Sequence, residues 1–223
     1  MRAIQSGSVA IAWCLISAGT VFSQSFALDS ASGLEPHGVK AEPAMFLQRK
    51  AIHVYAADAQ ASDGGLVVVR GAEFGNGSLE VDLSGKPGAG APGGARGFVG
   101  LAFHAAADVS KYECFYLRPT NGRAEDQERR NHSLQYISYP AYEWFRLRKE
   151  NPGKYESYAD LVPGEWMHIR IEVQGVKARL YVNGAAQPAL IVNDLKMGDG
   201  KGGVALWIGP GTDAYFSNLK LSH

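Results

Sequence analysis

Apolar and polar residues alternate along this chain in short runs, and no helical stripe of useful length appears. The clearest run is "GSLEVDLSG" (Gly77 to Gly85), where Leu79, Val81 and Leu83 alternate with Ser78, Glu80 and Asp82. A period of two sends successive side chains to opposite faces, so this segment reads as a strand with one buried face. "AIHVYA" (51–56) reads as a first strand, followed by "GGLVVVRG" (64–71), "GFVGLAFHA" (97–105), "KYECFYLRP" (111–119) and "HSLQYIS" (132–138). "KYESYADL" (154–161) is a further candidate. "WMHIRIEVQG" and "VKARLYVNG" form a hairpin that turns at Gln174-Gly175. "PALIVND", "GGVALWIG" and "DAYFSNLKLSH" complete the set. Short strands punctuated by Gly, Pro, Asn and Asp predict an all-β protein, a β-sandwich or jelly roll.

Two stretches break the strand pattern. "SGKPGAGAPGGARG" (84–97) is rich in Gly, Pro and Ala and reads as a flexible surface loop. It is no phosphate loop, because no Lys-Ser/Thr follows and no helix starts there. The second is one long irregular insertion, from "TNGRAEDQERRNH" (120–132) to "PAYEWFRLRKENPG" (140–153). Pro140 is placed to start a short helical turn carrying Trp144 and Arg148.

The N-terminus carries a targeting pattern: Arg2, then the apolar run Val9 to Phe22, then Ser25-Phe26-Ala27 with small residues around a cut after Ala27. That run is shorter than the roughly 20 residues a spanning helix needs. The organisation predicted is a signal peptide over 1–27, an N-terminal lead-in over 28–49 and a β-jelly-roll domain over 50–223. The product is secreted or periplasmic, with no membrane span after cleavage. Of two cysteines, Cys14 falls in the leader, which leaves Cys114 without a disulfide partner. Cys114 sits in an apolar strand and reads as a structural thiol. Lys plus Arg and Asp plus Glu both number 22, so no basic excess points to nucleic acid.

The C-terminal half carries a resemblance. "PGEWMHIRIEVQGVKARLYVNG" (163–184) and "GGVALWIGPGTDAYFSNLKL" (202–221) are similar to strand signatures of concanavalin A-like and laminin-G-like jelly rolls. Within that superfamily the chain looks most like bacterial secreted 3-keto-disaccharide hydrolase-like proteins, also described as family-16 glycoside-hydrolase-like. The resemblance implies a two-sheet antiparallel jelly-roll sandwich with a concave, glycan-facing groove. It implies a carbohydrate or cell-surface polymer as partner, engaged by glycan binding or glycoside processing. A non-catalytic laminin-G-like interaction or adhesion module is the alternative. Family-16-type enzymes place a Glu-x-Asp-x-Glu-type carboxylate set on one strand. Here Glu80 and Asp82 are present, but Ser84 stands where the closing Glu should be, so the motif is incomplete and enzymatic activity stays open. No cofactor is implied beyond a structural calcium, for which Asp82, Asp194 and Asp213 are the candidates. No His or Cys spacing points to any other metal.

The candidate site lies in the first insertion and the strands beside it. In "GFVGLAFHA" and "YECFYLRP", placing Leu101, Phe103, Phe115 and Leu117 in the core leaves His104, Tyr116 and Arg118 together on the other face. Sugars need apolar platforms for their C–H faces and directional partners for their hydroxyls. Arg130, Asn131, Gln135, Tyr136, Trp144 and Arg146 join those three as predicted ligand contacts. For acid/base work the candidates are His132, with Glu128 or Glu113 as its partner, and His104 as the other imidazole. Trp207 and Tyr215 can line a groove or fill the core, and Trp166 is expected inside.

Overall fold

The computed structural model describes residues 22–57 and 64–223. The chain runs β1 (Ser23–Phe26), β2 (Leu34–His37), β3 (Val39–Phe46), β4 (Arg49–Ala56), β5 (Gly65–Phe74) and β6 (Gly77–Pro87). It continues through β7 (Val99–Ala105), β8 (Tyr112–Leu117), a 3-10 turn (Pro119–Asn121), α1 (Gln127–Asn131), β9 (Leu134–Tyr139) and α2 (Trp144–Glu150). It closes with β10 (Glu156–Ser157), β11 (Met167–Gln174), β12 (Lys177–Val182), β13 (Leu190–Val192), β14 (Gly202–Ile208) and β15 (Thr212–Ser222).

These strands form two antiparallel sheets. The eight-stranded sheet runs β13-β12-β11-β6-β15-β4-β3, with β1 also paired to β15. The seven-stranded sheet runs β10-β9-β8-β7-β14-β5-β2. The expected alternation holds on β6 and β11. Leu79, Val81, Leu83, Ile169 and Ile171 are fully buried between the sheets, while Glu80, Asp82, His168 and Arg170 face outward. Each such aliphatic side chain taken from water contributes about 1.5–3 kcal/mol. β7 and β8 differ, because every residue on them is buried. One face of these strands meets the core, and the insertion covers the other.

Several expectations change here. Residues 28–49 are not a lead-in: they supply β2 to one sheet and β3 to the other, so Ala51–Ala56 belongs to the fourth strand. β2 and β3 end their sheets and carry Pro36 and Pro43, which an edge strand tolerates because one side of its backbone needs no ladder bond. β1 lies inside the predicted leader, and its Ser23–Phe26 pairs residue by residue with Leu219–Ser222. The apolar leader run up to residue 21 falls outside the described residues. Helix α2 begins at Trp144 behind its N-cap Glu143, not at Pro140. Trp166 is half-buried on the outer face of the larger sheet, packed against Phe46 and beneath Arg49, not in the core. Tyr215 lies on that same outer face, stacked between Phe46 and His53. Cys114 is fully buried, and burial pushes its thiol well above the ordinary value, as a structural thiol requires.

Candidate functional site

The outer face of the seven-stranded sheet carries a cleft of about 1000 Å³. Its floor is aromatic. Tyr116 of β8 and Trp207 of β14 meet with ring centroids 4.6 Å apart, and the Trp207 indole N–H donates to the Tyr112 hydroxyl over 3.3 Å. Gly100 makes this contact possible. It lies on β7 between the two strands and pairs with both Tyr116 and Trp207. With no side chain at Gly100, the flanking rings close over the intervening strand.

Three irregular segments wall the cleft: the loop after β6, the Pro119–His132 segment and the start of α2. The glycine-rich loop is therefore part of the site, and it contributes Pro92, Ala95, Arg96 and Phe98. α1 forms because Asp126 caps it, accepting the Arg129 backbone N–H at 2.7 Å. That cap sets Glu128, Arg129 and His132 along the rim.

A buried ionic cluster anchors the floor to the walls. Glu156, on two-residue β10, is its centre. Its Oε1 accepts from Arg118 Nη1 at 3.2 Å and also from Arg148 Nη2, and its Oε2 accepts from Arg148 Nε at 2.9 Å. Arg118 is almost fully buried. It donates further to the His132 carbonyl, the Tyr116 hydroxyl and the Gln135 side-chain oxygen, at 2.9, 2.9 and 3.0 Å. Gln135 in turn donates to the carbonyls of Tyr136 and Tyr155. Such saturation is what a buried guanidinium needs. Trp144, 43% exposed, lies over both cations, with Arg148 4.9 Å and Arg118 6.0 Å from its ring.

The electrostatics follow from this wiring. Burial alone would raise the Glu156 carboxyl, but the Arg148 hydrogen bond and the Arg118 and Arg148 charges hold it below its ordinary value. His132 Nδ1 is 2.9 Å from Glu156 Oε1, yet off the angle a hydrogen bond requires. Burial lowers the His132 imidazole; Glu156 opposes that shift, and the two arginines reinforce it. The Tyr116 phenol is pushed up to about 12 by burial and so stays neutral.

Of the residues predicted from sequence, Tyr116, Arg118, Glu128, His132 and Trp144 line this cleft. Gln135 lies beneath it as a support for Arg118. Arg130, Asn131 and Arg146 turn elsewhere, to Tyr158, Gln127 and Glu150 respectively. His104, Glu113 and Tyr136 are corrected outright, because they sit on the core side of the sheet. A bulge opposite Gly203–Ala205 and a positive φ at His104 rotate that imidazole off the expected face. It lies 3.5 Å from Glu113, which accepts from the Tyr136 hydroxyl at 2.9 Å and the Met197 N–H at 2.8 Å. Glu113 is fully buried there, cut off from the cleft by the sheet itself.

Sequence reasoning missed Glu156 and Arg96, and carried Arg148 only as part of a helical turn. Arg96 had a signal, as the one cation of residues 88–97. Glu156 had none, because its role depends on partners from three separate elements.

The incomplete Glu80-Asp82-Ser84 set faces outward on the other sheet. Asp82 is held there by Arg49 at 2.8 Å, His168 at 2.9 Å and Asn218 at 2.9 Å. The calcium candidates also engage cations: Asp194 meets Lys154 and Lys196, and Asp213 meets His53 and Lys86. No cluster of three or more metal-ligating side chains occurs among the described residues. No helix among them is long and apolar enough to cross a membrane.

Neither the known family models nor the curated proteins contain a match to this chain. Solved structures do. A protein of unknown function with a galectin-like fold from Bacillus subtilis superposes with a TM-score of 0.58 at 13% identity, over 90% of this chain and 94% of that one. The carbohydrate-binding module CBM66 from Bacillus subtilis gives a TM-score of 0.55 at 14% identity, over 85% and 95%. A putative glycosyl hydrolase from Parabacteroides distasonis gives 0.55 at 13%, over 88% and 98%. The chain shares the jelly-roll fold of these structures. Identities this low establish the jelly-roll fold and leave function to the residues of the cleft.

Proposed function

We propose that this protein is an exported jelly-roll module that binds carbohydrate in the cleft over Tyr116 and Trp207. The observation that carries the reading is the aromatic floor ringed by fixed hydrogen-bonding groups: rings suit the C–H faces of a sugar, and guanidiniums and amides suit its hydroxyls. The described neighbours include a carbohydrate-binding module, which supports the same reading. Export is inferred from the N-terminal leader pattern.

Binding is favoured over hydrolysis by the state of the carboxylates. A glycosidase needs one carboxyl that stays protonated beside a second that is ionised. Glu156, the buried acid that ties the cleft floor to its walls, is held ionised by two arginines. Glycoside processing remains a second reading on one observation, the His132 imidazole beside Glu156. A glycan array probed with the full chain tests the proposal. Retention of at least one glycan, weakened by Trp144→Ala, is expected; silence across every sugar and polysaccharide would favour the protein-binding adhesion module.

A further inference from the structure

The glycan reading leaves the class of sugar open, and one corner of the cleft narrows it. Arg96, Arg118 and Arg129 converge where the loop after β6 meets the Pro119–Asn121 turn. The Arg96 carbonyl accepts the Thr120 N–H at 3.3 Å, and the Arg118 carbonyl accepts the Asn121 N–H at 2.8 Å. Arg129 Nε donates to Asn121 Oδ1 at 3.0 Å, and Asn121 Nδ2 donates to the His132 carbonyl, which Arg118 also meets. One three-residue turn thus fixes all three positions.

Their partners are the informative part. Arg118 is matched by Glu156. Among the described residues, the hydrogen bonds of the other two guanidiniums go to neutral oxygens. Arg96 donates to the carbonyls of Gly93 and Ala95, and Arg129 to the side chains of Asn121 and Thr120. Elsewhere Arg49, Arg70, Arg123 and Arg146 each rest on a carboxylate. Among the described residues no acid of the cleft forms an ion pair with either guanidinium, although Asp126 accepts the Arg129 backbone N–H. Asp126 is used in capping α1, Glu128 acts on His132 and Arg148, and Glu143 acts on Tyr112 from the α2 wall. Burial, then the charges of Arg129 and Arg118, lower the Arg96 guanidinium from its ordinary value.

We infer that the glycan received here is acidic, with a carboxylate or sulfate group seated between Arg96 and Arg129 while a neighbouring ring lies on the Tyr116–Trp207 floor. This rests on the glycan-binding reading above. Guanidiniums favour planar carboxylates and sulfate-like oxyanions because paired N–H groups match paired oxygens.

The test uses matched polymers differing in charge alone: polygalacturonate against its fully methyl-esterified form, and dextran sulfate against dextran. Affinity electrophoresis of the full chain should show the charged member of one pair bound roughly tenfold tighter, with retardation weakening as salt rises. Which pair responds distinguishes carboxylate from sulfate. Arg96→Gln and Arg129→Gln should each weaken that binding roughly tenfold, and Arg123→Gln, whose guanidinium is paired with Asp160 outside the cleft, should not. The wild-type comparison stands even if a variant misfolds. Equal retention of both members of each pair, or retention of neutral glycans alone on the array, overturns the acidic-ligand inference and leaves glycan binding intact. Silence on both the array and the polymers overturns the two together.

Discussion

The rings of Tyr116 and Trp207 meet at 4.6 Å, tilted by 30°, although their strands are separated by a third. The strand between them contributes Gly100, and a Cβ there would meet the Phe115 carbonyl oxygen at 2.1 Å and Tyr116 Cβ at 2.7 Å. Gly100→Ala should therefore destabilise the fold by about 1–3 kcal/mol through overpacking, and it should weaken glycan retention by splaying the floor. The urea midpoint reads the first effect. An unchanged midpoint would show that the rings do not depend on this glycine.

Trp144 offers a cleaner separation of binding from stability. It is 43% exposed and rests on two guanidiniums at the rim. Trp144→Ala should lower glycan affinity roughly three- to tenfold with a melting shift much smaller than that of Gly100→Ala. Titration calorimetry beside a thermal melt checks both. A large melting shift with unchanged affinity would make Trp144 a packing residue.

Glu156 should matter most for stability. Replacing it with Gln leaves Arg118 buried without its carboxylate, a change that costs about 3 kcal/mol or more. The folded carboxyl titrates below its ordinary value of 4.5. Its contribution is then complete above that value and is lost as pH falls through the lower, folded value. Melting curves of wild type and Glu156→Gln should consequently converge in acid and diverge toward neutral pH. Parallel curves across that range would remove Glu156 as a source of acid sensitivity.

The catalytic alternative has its own test. If the protein processes glycosides, His132→Ala and Glu128→Gln should each reduce turnover on a panel of keto-disaccharides. Unchanged turnover in both variants would exclude these residues from the chemistry. Absence of turnover in the wild type, with glycan retained, is the outcome the binding reading expects.

The leader and β1 compete for the same residues. A cut after Ala27 removes Ser23–Phe26 and with them the pairing to Leu219–Ser222. If the chain is exported as proposed, its mature form should therefore begin upstream of Gln24, and a version starting at Leu28 should melt lower. N-terminal sequencing of exported material decides this. Leu28 as first residue would mean that the mature fold does without β1.

Much of this molecule was legible in one dimension. The period-two runs of Leu79-Val81-Leu83 and Ile169-Ile171 predict strands with a buried face, because a pleated backbone sends alternate side chains to alternate sides. Buried strands record their burial in composition, so the sandwich was readable from residue 51 onward. β2 and β3 were not, because edge strands half open to solvent need no alternation and tolerate Pro36 and Pro43. The same alternation placed Tyr116 and Arg118 correctly on the cleft face. It failed at His104, where a single bulge residue reverses the side-chain direction of everything beyond it.

What the local pattern determined is thus the two sheets and one face of the cleft. The tertiary structure alone decided which charges meet. Arg118, His132, Arg148 and Glu156 come from four segments, and the desolvated interior then forces those groups to find one another. Strand periodicity is a property of neighbours along the chain, whereas the pairing of a buried ion is a property of neighbours in space.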